Sequence, residues 1–321
     1  MDMFKYVLKR LALMLVIAFV IMTICFVLIK MLEPEIPMLG IQAEIEMAKR
    51  EALGYNKPIL VQYGIYLKNI ITEWNWGWSW KVDYMKPVTT VIAKRIPPTL
   101  ILNFLSMIIS IPFGILFGII AALHKNTALD HFISTAVMVV VSVPAFVYGF
   151  LLQYFFAFKW GLLPMVVSSL RDAGGSWMSW TMIRSMILPI LSLSFGTIAG
   201  MARFTRAELC EALTSEYMLL ARTKGLTKGQ AVRRHAMKNA MVPILPSIIA
   251  SFTSILGGAI ITEKIFSIVG MGSLQIAAIQ MLDYDLFVAT SVFYTIIGLL
   301  GTLIVDLSYG FLDPRIKMGA R

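Results

Sequence analysis

Six stretches of this chain are long and apolar enough to cross a bilayer, and nothing else restricts its fold so strongly. They are Leu11 to Ile29, Thr99 to Leu123, Phe132 to Phe158, Met186 to Ala202, Met241 to Thr262 and Leu286 to Phe311. A spanning helix needs about 20 predominantly apolar residues. The fourth stretch is the least regular, because it holds Pro189, Gly196 and Gly200. Any one of them suits a buried soluble helix, but six in one chain point to a membrane. Only 14% of the 321 residues are charged and 58% are hydrophobic, whereas soluble domains are about 25% charged. The expected fold class is therefore an all-α integral membrane protein with six transmembrane helices.

The first stretch follows Lys5, Lys9 and Arg10, as a signal peptide would. Its apolar run is longer than a signal core and no small-residue cleavage site follows, so a retained helix is expected. Lysine and arginine in short loops set the orientation. With the N-terminus in the cytoplasm, the inner segments 1–10, 124–131, 203–240 and 312–321 collect most of these residues, among them Arg315, Lys317 and Arg321. The short outer loops 159–185 and 264–285 hold only Lys159, Arg171, Arg184 and Lys264. The net charge of +10 is then mostly a topology signal, and no nucleic-acid partner is needed to explain it. Both termini are expected in the cytoplasm, with a lipid bilayer around the core.

The chain divides into an N-terminus with the first helix (1–32), an extracytoplasmic segment (33–98), a transmembrane core (99–311) with a cytoplasmic loop at 203–240, and a tail (312–321). Within the outer segment, Ile41 to Leu53 has the spacing of a short amphipathic helix. WNWGWSW at 74–80 suits an interfacial aromatic belt, with substrate stacking as the alternative. Pro97 and Pro98 are expected to stop this segment just before the second span.

Catalytic groups are sparse. His124, His131 and His235 do not combine with carboxylates at metal-ligand spacing, and GxSxG, HExxH and GxxxxGK[ST] are all missing. Without the phosphate loop, P-loop ATP hydrolysis by this chain is excluded, and neither a catalytic nor a metal site is expected. Cys25 and Cys210 read as two free thiols. Asp306 and Glu263 lie at span ends and read as boundary residues rather than a proton relay. Asn103, Gln153, Ser192 and Ser194 suit helix packing, with lining of a path as the alternative.

The stretch ARTKGLTKGQAVRRHAMKNAMVP (221–243) is basic and has Gly225 in the middle of a helical pattern. AELCEALTSEYMLLARTKG extends the fourth span into the cytoplasm, with Gly225 at the C-cap. A second short helix, Lys228 to Asn239, then leads to Pro243. Helix, sharp turn and helix with a basic rim make a docking shape. A solvated positive-inside loop is the plainer reading, and the glycine-centred turn favours docking.

Here the chain resembles the permeases of binding-protein-dependent ABC importers, and within them the B-type subunit of dipeptide and oligopeptide systems. The resemblance rests on Tyr217, Ala221, Arg222, Thr223, Lys224, Gly225 and Leu226, then Arg234, His235, Ala236, Lys238, Asn239, Ala240 and Pro243. Leu219 and Leu220 replace the Glu-Ala of the general coupling motif, as in the peptide branch. KPVTTVIAKRIPPTLILN (86–103), ITEKIFSIVGMGSL (261–274, with Val269 where proline is usual), Asp283-Tyr284 and VDLSYGFLDPRIK (305–317) extend the likeness over essentially the whole chain.

That resemblance implies a type I importer permease fold and half of a translocation pathway in a bacterial or archaeal plasma membrane. It also implies a second homologous permease, two ATPase subunits that carry ATP and Mg, and an external peptide-binding protein. No cofactor is expected on this chain. The implied ATPase-coupling residues are Glu216, Tyr217, Leu219, Leu220, Ala221, Arg222, Lys224, Gly225, Leu226 and His235. Relatives of the same branch that handle nickel or glutathione remain alternatives. So do a non-transporting membrane scaffold and an ion-coupled transporter working alone.

Overall fold

The computed structural model describes residues 3–32, 40–52, 54, 57–253, 255 and 259–312. The tail carrying Arg315, Lys317 and Arg321 lies outside the described residues. Helix α1 (Met3–Lys30) is followed by α2 (Ile41–Ala52), α3 (Ile59–Glu73), the two-residue strands β1 (Trp78–Ser79) and β2 (Lys86–Pro87), and α4 (Val88–Leu123). Then come α5 (Ala128–Ser142), α6 (Ala145–Leu152) with a π-helical extension over Gln153–Lys159, and α7 (Trp180–Thr214). Helices α8 (Glu216–Thr223), α9 (Lys228–Ala231), α10 (Met237–Thr253), α11 (Ile260–Ile265), α12 (Met271–Gln280) and α13 (Tyr284–Leu312) complete the order.

Among the described residues, four helices are long and apolar enough to span a membrane, α1, α4, α7 and α13, and a fifth span results if the bent pair α5–α6 counts as one. The expected six is not reproduced. Of the fifth expected span, the described residues place 241–253 in α10 and 260–262 in the separately described α11. A second expectation is corrected at Pro97 and Pro98. Helix α4 begins at Val88 and runs through both prolines, so the boundary at 98–99 falls inside a helix. Pro87, with φ −55°, stands at its N-cap. Packing along the whole length of α4 outweighs the two amide hydrogen bonds that the prolines remove.

The central pair is α4 and α7. Residues spaced by four on α4, namely Ser106, Ser110, Gly114, Gly118 and Ala122, are all buried, and this spacing puts them on one helix face. A Cβ on Gly118 would lie 2.6 Å from Thr205 Cβ and 2.7 Å from the Ala202 carbonyl oxygen, so only glycine permits this approach. The Ser106 and Ser194 hydroxyls meet at 3.2 Å across the seam. Close contact of small residues, with a hydrogen bond between them, is how helices bind one another where lipid removes the hydrophobic incentive.

The α5–α6 pair bends by 96° at Val143-Pro144. Val143, preceding proline, is extended at ψ 127°. Pro144 has no N–H for the Val140 carbonyl, and the Tyr148 hydroxyl donates to that oxygen at 2.7 Å instead. Helix α13 packs antiparallel to α1: Arg10 and Asp306 pair at 2.9 Å at one end, and the Tyr284 hydroxyl donates to the Leu32 carbonyl at 2.7 Å at the other. Asp306 is thus an end residue, as expected. Helix α3, unforeseen, buries Gln62, Tyr66 and Ile70 at a spacing of four.

Candidate functional site

The chain turns sharply where α7 ends. Ser215 adopts extended geometry (φ −73°, ψ 156°) and separates α7 from α8, so the single helix expected from Ala207 to Gly225 is two. Helix α8 has only eight residues, too short to persist alone in water. Caps and packing hold it. Leu226 N–H reaches the Ala221 carbonyl at 3.3 Å and Gly225 N–H reaches that of Arg222 at 3.0 Å. This is the paired Schellman pattern, with Gly225 in the left-handed position at φ +85°. Thr227 then caps α9, its hydroxyl accepting from Gln230 N–H while Gln230 Oε1 accepts from Thr227 N–H.

The second helix of the elbow does not end at Asn239. It passes from α9 through a π turn, Val232–Ala236, directly into α10 and beyond Pro243. A continuous helical rod therefore joins the elbow to the helical bundle. Met218 and Ala221 of α8 are buried in a cluster with Leu209, Ala212, Ala231, Val232, Ala236, Ala240 and Ile244. Leu226 packs against the same cluster. Ala221 on α8 and Ala231, Ala236 and Ala240 on the rod allow the short helix to lie close to it.

Ala221, one of the implied coupling residues, faces its own chain at 4% exposure. The opposite face is open: Tyr217, Leu219 and Leu220 are 37%, 68% and 55% exposed. Glu216 and Arg222 are exposed on the same short helix and Lys224 at its C-cap, and Lys228, Arg233, Arg234 and Lys238 are exposed on the helical run that follows. His235 is half-buried in the π turn, and its carbonyl accepts from Asn239 Nδ2 at 2.9 Å. The arrangement can bind a complementary surface. It brings together no nucleophile, base or metal-ligand set.

A further residue pair supports the elbow and was not singled out from sequence. Asp130, 1% exposed, accepts from Arg206 Nε at 2.6 Å and from its terminal nitrogen at 2.7 Å. Asn126 N–H adds a third bond at 2.9 Å. The fork geometry ties the α4–α5 loop to α7 just above the elbow. Nothing in the local spacing of either residue announces the partner.

The other end of α4 carries a different construction. Glu263, expected as a boundary residue, is fully buried. It accepts from the Thr99 hydroxyl at 2.9 Å and from Ser273 N–H, in the first turn of α12, at 2.8 Å. The tryptophan run is a strap over the start of α13, not a uniform belt: Trp74 is 72% exposed while Trp80 is buried at 3%. Its tip is tied by Asp83, which pairs with Lys86 at 2.7 Å and Arg95 at 3.3 Å. Burial pushes the Asp83 carboxyl up, but those two cations outweigh it and hold it below the usual carboxylate range. Three of the four polar span residues bond between elements: Gln153 Nε2 donates to Met165 O and Ile265 O, Ser192 to Ala145 O, and Ser194 meets Ser106 across the α4–α7 seam. Asn103 Nδ2 donates to Thr99 O of its own helix.

Comparison with known proteins is consistent with this anatomy. The family described as "Binding-protein-dependent transport system inner membrane component" matches residues 114–318. The chain is 33% identical over 319 residues to the dipeptide transport system permease protein DppB of Lactococcus lactis subsp. cremoris (strain MG1363), covering 98% of this chain and 100% of that one. It is 34% identical over 322 residues to the protein of the same name in Bacillus subtilis (strain 168), covering 98% and 99%. It is 33% identical over 319 residues to the glutathione transport system permease protein GsiC of Escherichia coli (strain K12), covering 98% and 99%. Among solved structures, the MetNI methionine ABC transporter in inward-facing conformations is similar in fold, with a TM-score of 0.50 at 17% identity over 70% of this chain and 98% of that one. The chain belongs to the family of binding-protein-dependent transport system inner membrane components.

Proposed function

We propose that this chain is one of two permease subunits in an ATP-driven importer of dipeptides and oligopeptides. The elbow, in this reading, faces the cytoplasm and seats in a groove on an ATPase subunit. The strap faces outward, toward an external peptide-binding protein. Both termini lie in the cytoplasm, in agreement with the lysines and arginines of 1–10, 124–131 and 203–240. ATP and Mg are held by the partner subunits.

The observation that carries the reading is the exposed face Tyr217, Leu219 and Leu220 on a helix capped at its C-terminal end and backed by its own chain. Exposed apolar residues on a rigid support suit a protein partner. A rigid rod running from α9 into α10 carries a push at α8 into the bundle. The peptide substrate comes from the names of the relatives, two of them dipeptide permeases. Glutathione, itself a tripeptide, is the second substrate reading, favoured by the equally similar GsiC protein.

Mild extraction of the tagged chain tests the proposal. A second permease and P-loop ATPases should co-purify, and crosslinks from Lys224 should reach an ATPase. A chain that purifies alone, even after crosslinking, would refute the importer reading in favour of a scaffold or a secondary transporter.

A further inference from the structure

Residues 74–87 cross the first turn of α13 as a strap with little secondary structure of its own. Two residues of β1 pair with two of β2, and isolated hairpins even longer than this are marginal in water. A buried carboxylate supplies the missing hold. Asp283, fully buried, accepts from the Ser79 hydroxyl at 2.6 Å and from the N–H groups of Trp80 at 3.2 Å, Lys81 at 3.0 Å and Val82 at 3.0 Å. Asp285, 1% exposed, accepts from Trp78 N–H at 3.1 Å. Three successive amides around one carboxylate form the concave arrangement that backbones use to hold anions. Here the anion belongs to the chain itself, about two hundred residues away.

The pinned strap holds costly conformations at both ends. Trp74 and Met85 have φ +53° and +56°, and a bulky residue there costs on the order of 1–3 kcal/mol. Such geometry persists only where surrounding bonds over-determine it. The tip presents Tyr84 at 40% exposure, between Asp83 and Lys86. Charges of both signs beside an exposed tyrosine suit a protein surface better than lipid hydrocarbon.

We propose that the strap is a preformed contact surface for the external binding protein, and that Asp283 is the residue that positions it. The inference rests on the importer reading. Its physical basis is entropic: a loop ordered in advance by buried bonds spares the complex the cost of ordering it on contact.

The test uses the complete importer, this chain with its second permease and ATPases, in lipid nanodiscs. The external binding protein of the same system, loaded with alanyl-alanine, is titrated while ATPase rate is read. Asp283→Asn keeps the shape but sets an amide group against several donors. Its half-stimulating concentration of binding protein is expected to rise roughly tenfold. The saturating rate and the rate without binding protein stay at wild-type values. Ser79→Ala moves the half-stimulating concentration the same way, by roughly threefold. Hydrogen exchange of amides 80–82 accelerates in the Asp283 variant.

Faster exchange at these amides with an unchanged half-stimulating concentration would overturn the proposal, since a loosened strap would then not be read; contact with lipid headgroups would remain its use. A lower saturating rate at unchanged half-saturation would also overturn it, because the carboxylate would then transmit rather than position. If the Asp283 variant does not assemble, Ser79→Ala decides by the same criteria. A wild-type complex that no binding protein stimulates would sink the importer reading and this inference with it. That failure is recognised in the control, before any variant is compared.

Discussion

At one end of α4 a strap is held by carboxylates, and at the other an elbow is held by alanines. The strap end satisfies itself. Asp283, Asp285 and Glu263 are buried and accept hydrogen bonds from segments far away in sequence, Glu263 from Thr99. The elbow end is satisfied on one side only. Ala221, Ala231, Ala236 and Ala240 close the inner side, and Tyr217, Leu219 and Leu220 leave the outer side apolar and open. Directional bonds suit a part that must keep one shape. Small side chains and backbone caps suit a part that must be thin, stiff and available to a partner.

The comparison can be broken most severely at Ala221. Ala221→Arg forces a long cation into a packed cluster, with an expected loss of roughly 3–5 kcal/mol at the elbow. ATPase subunits should no longer co-purify although the chain still inserts, which quantitative blotting of membranes against eluates would show. Retained ATPase would mean that Ala221 is less enclosed than its neighbours indicate.

Glu263→Ala comes next, at the opposite end. It leaves the Thr99 hydroxyl and Ser273 N–H without their acceptor, at a cost of about 2–4 kcal/mol. The unfolding temperature of the purified complex should drop, while ATPase retention stays intact. If retention fell instead, the two ends would not be independent.

Leu220→Ala inverts that pattern. The chain's own unfolding temperature should not move, because the side chain is 55% exposed. Affinity for the ATPase should weaken by about 1–2 kcal/mol, read from ATPase retained across a dilution series. The smallest effect is expected from Gly225→Ala. A Cβ there meets nothing within 4 Å, so only the left-handed backbone resists it, by about 1 kcal/mol. Exchange of the Leu226 amide should quicken modestly, and a loss as large as that of Ala221→Arg would show that the open space is filled by a partner.

Much of the elbow is legible locally. The Gly225 turn, the Thr227 start signal and the basic rim follow from residues within a few positions of one another. Which side of α8 faces inward is not so legible, because Ala221 and Leu220 are adjacent and both fit a helix. The π turn at Val232–Ala236 is also silent, since its composition is that of an ordinary helix. At Pro97 and Pro98 a sound local rule loses to tertiary contact, as α4 is packed on both sides of the two residues.

Composition and hydropathy by themselves determined the membrane class, the spans of α1, α4, α7 and α13, the amphipathic α2, and the capped turn at Gly225. These depend on the transfer of side chains from water and on hydrogen bonds three to five residues long, so they can be read in short windows. The tertiary structure alone decided the bend at Val143-Pro144, the burial of Glu263, the Asp130–Arg206 fork and the pinning of the strap by Asp283. In each case, packing brings a polar group or a free carbonyl to a partner that no periodicity marks. A carboxylate in a sequence shows its charge, but only the folded chain settles which donors surround it.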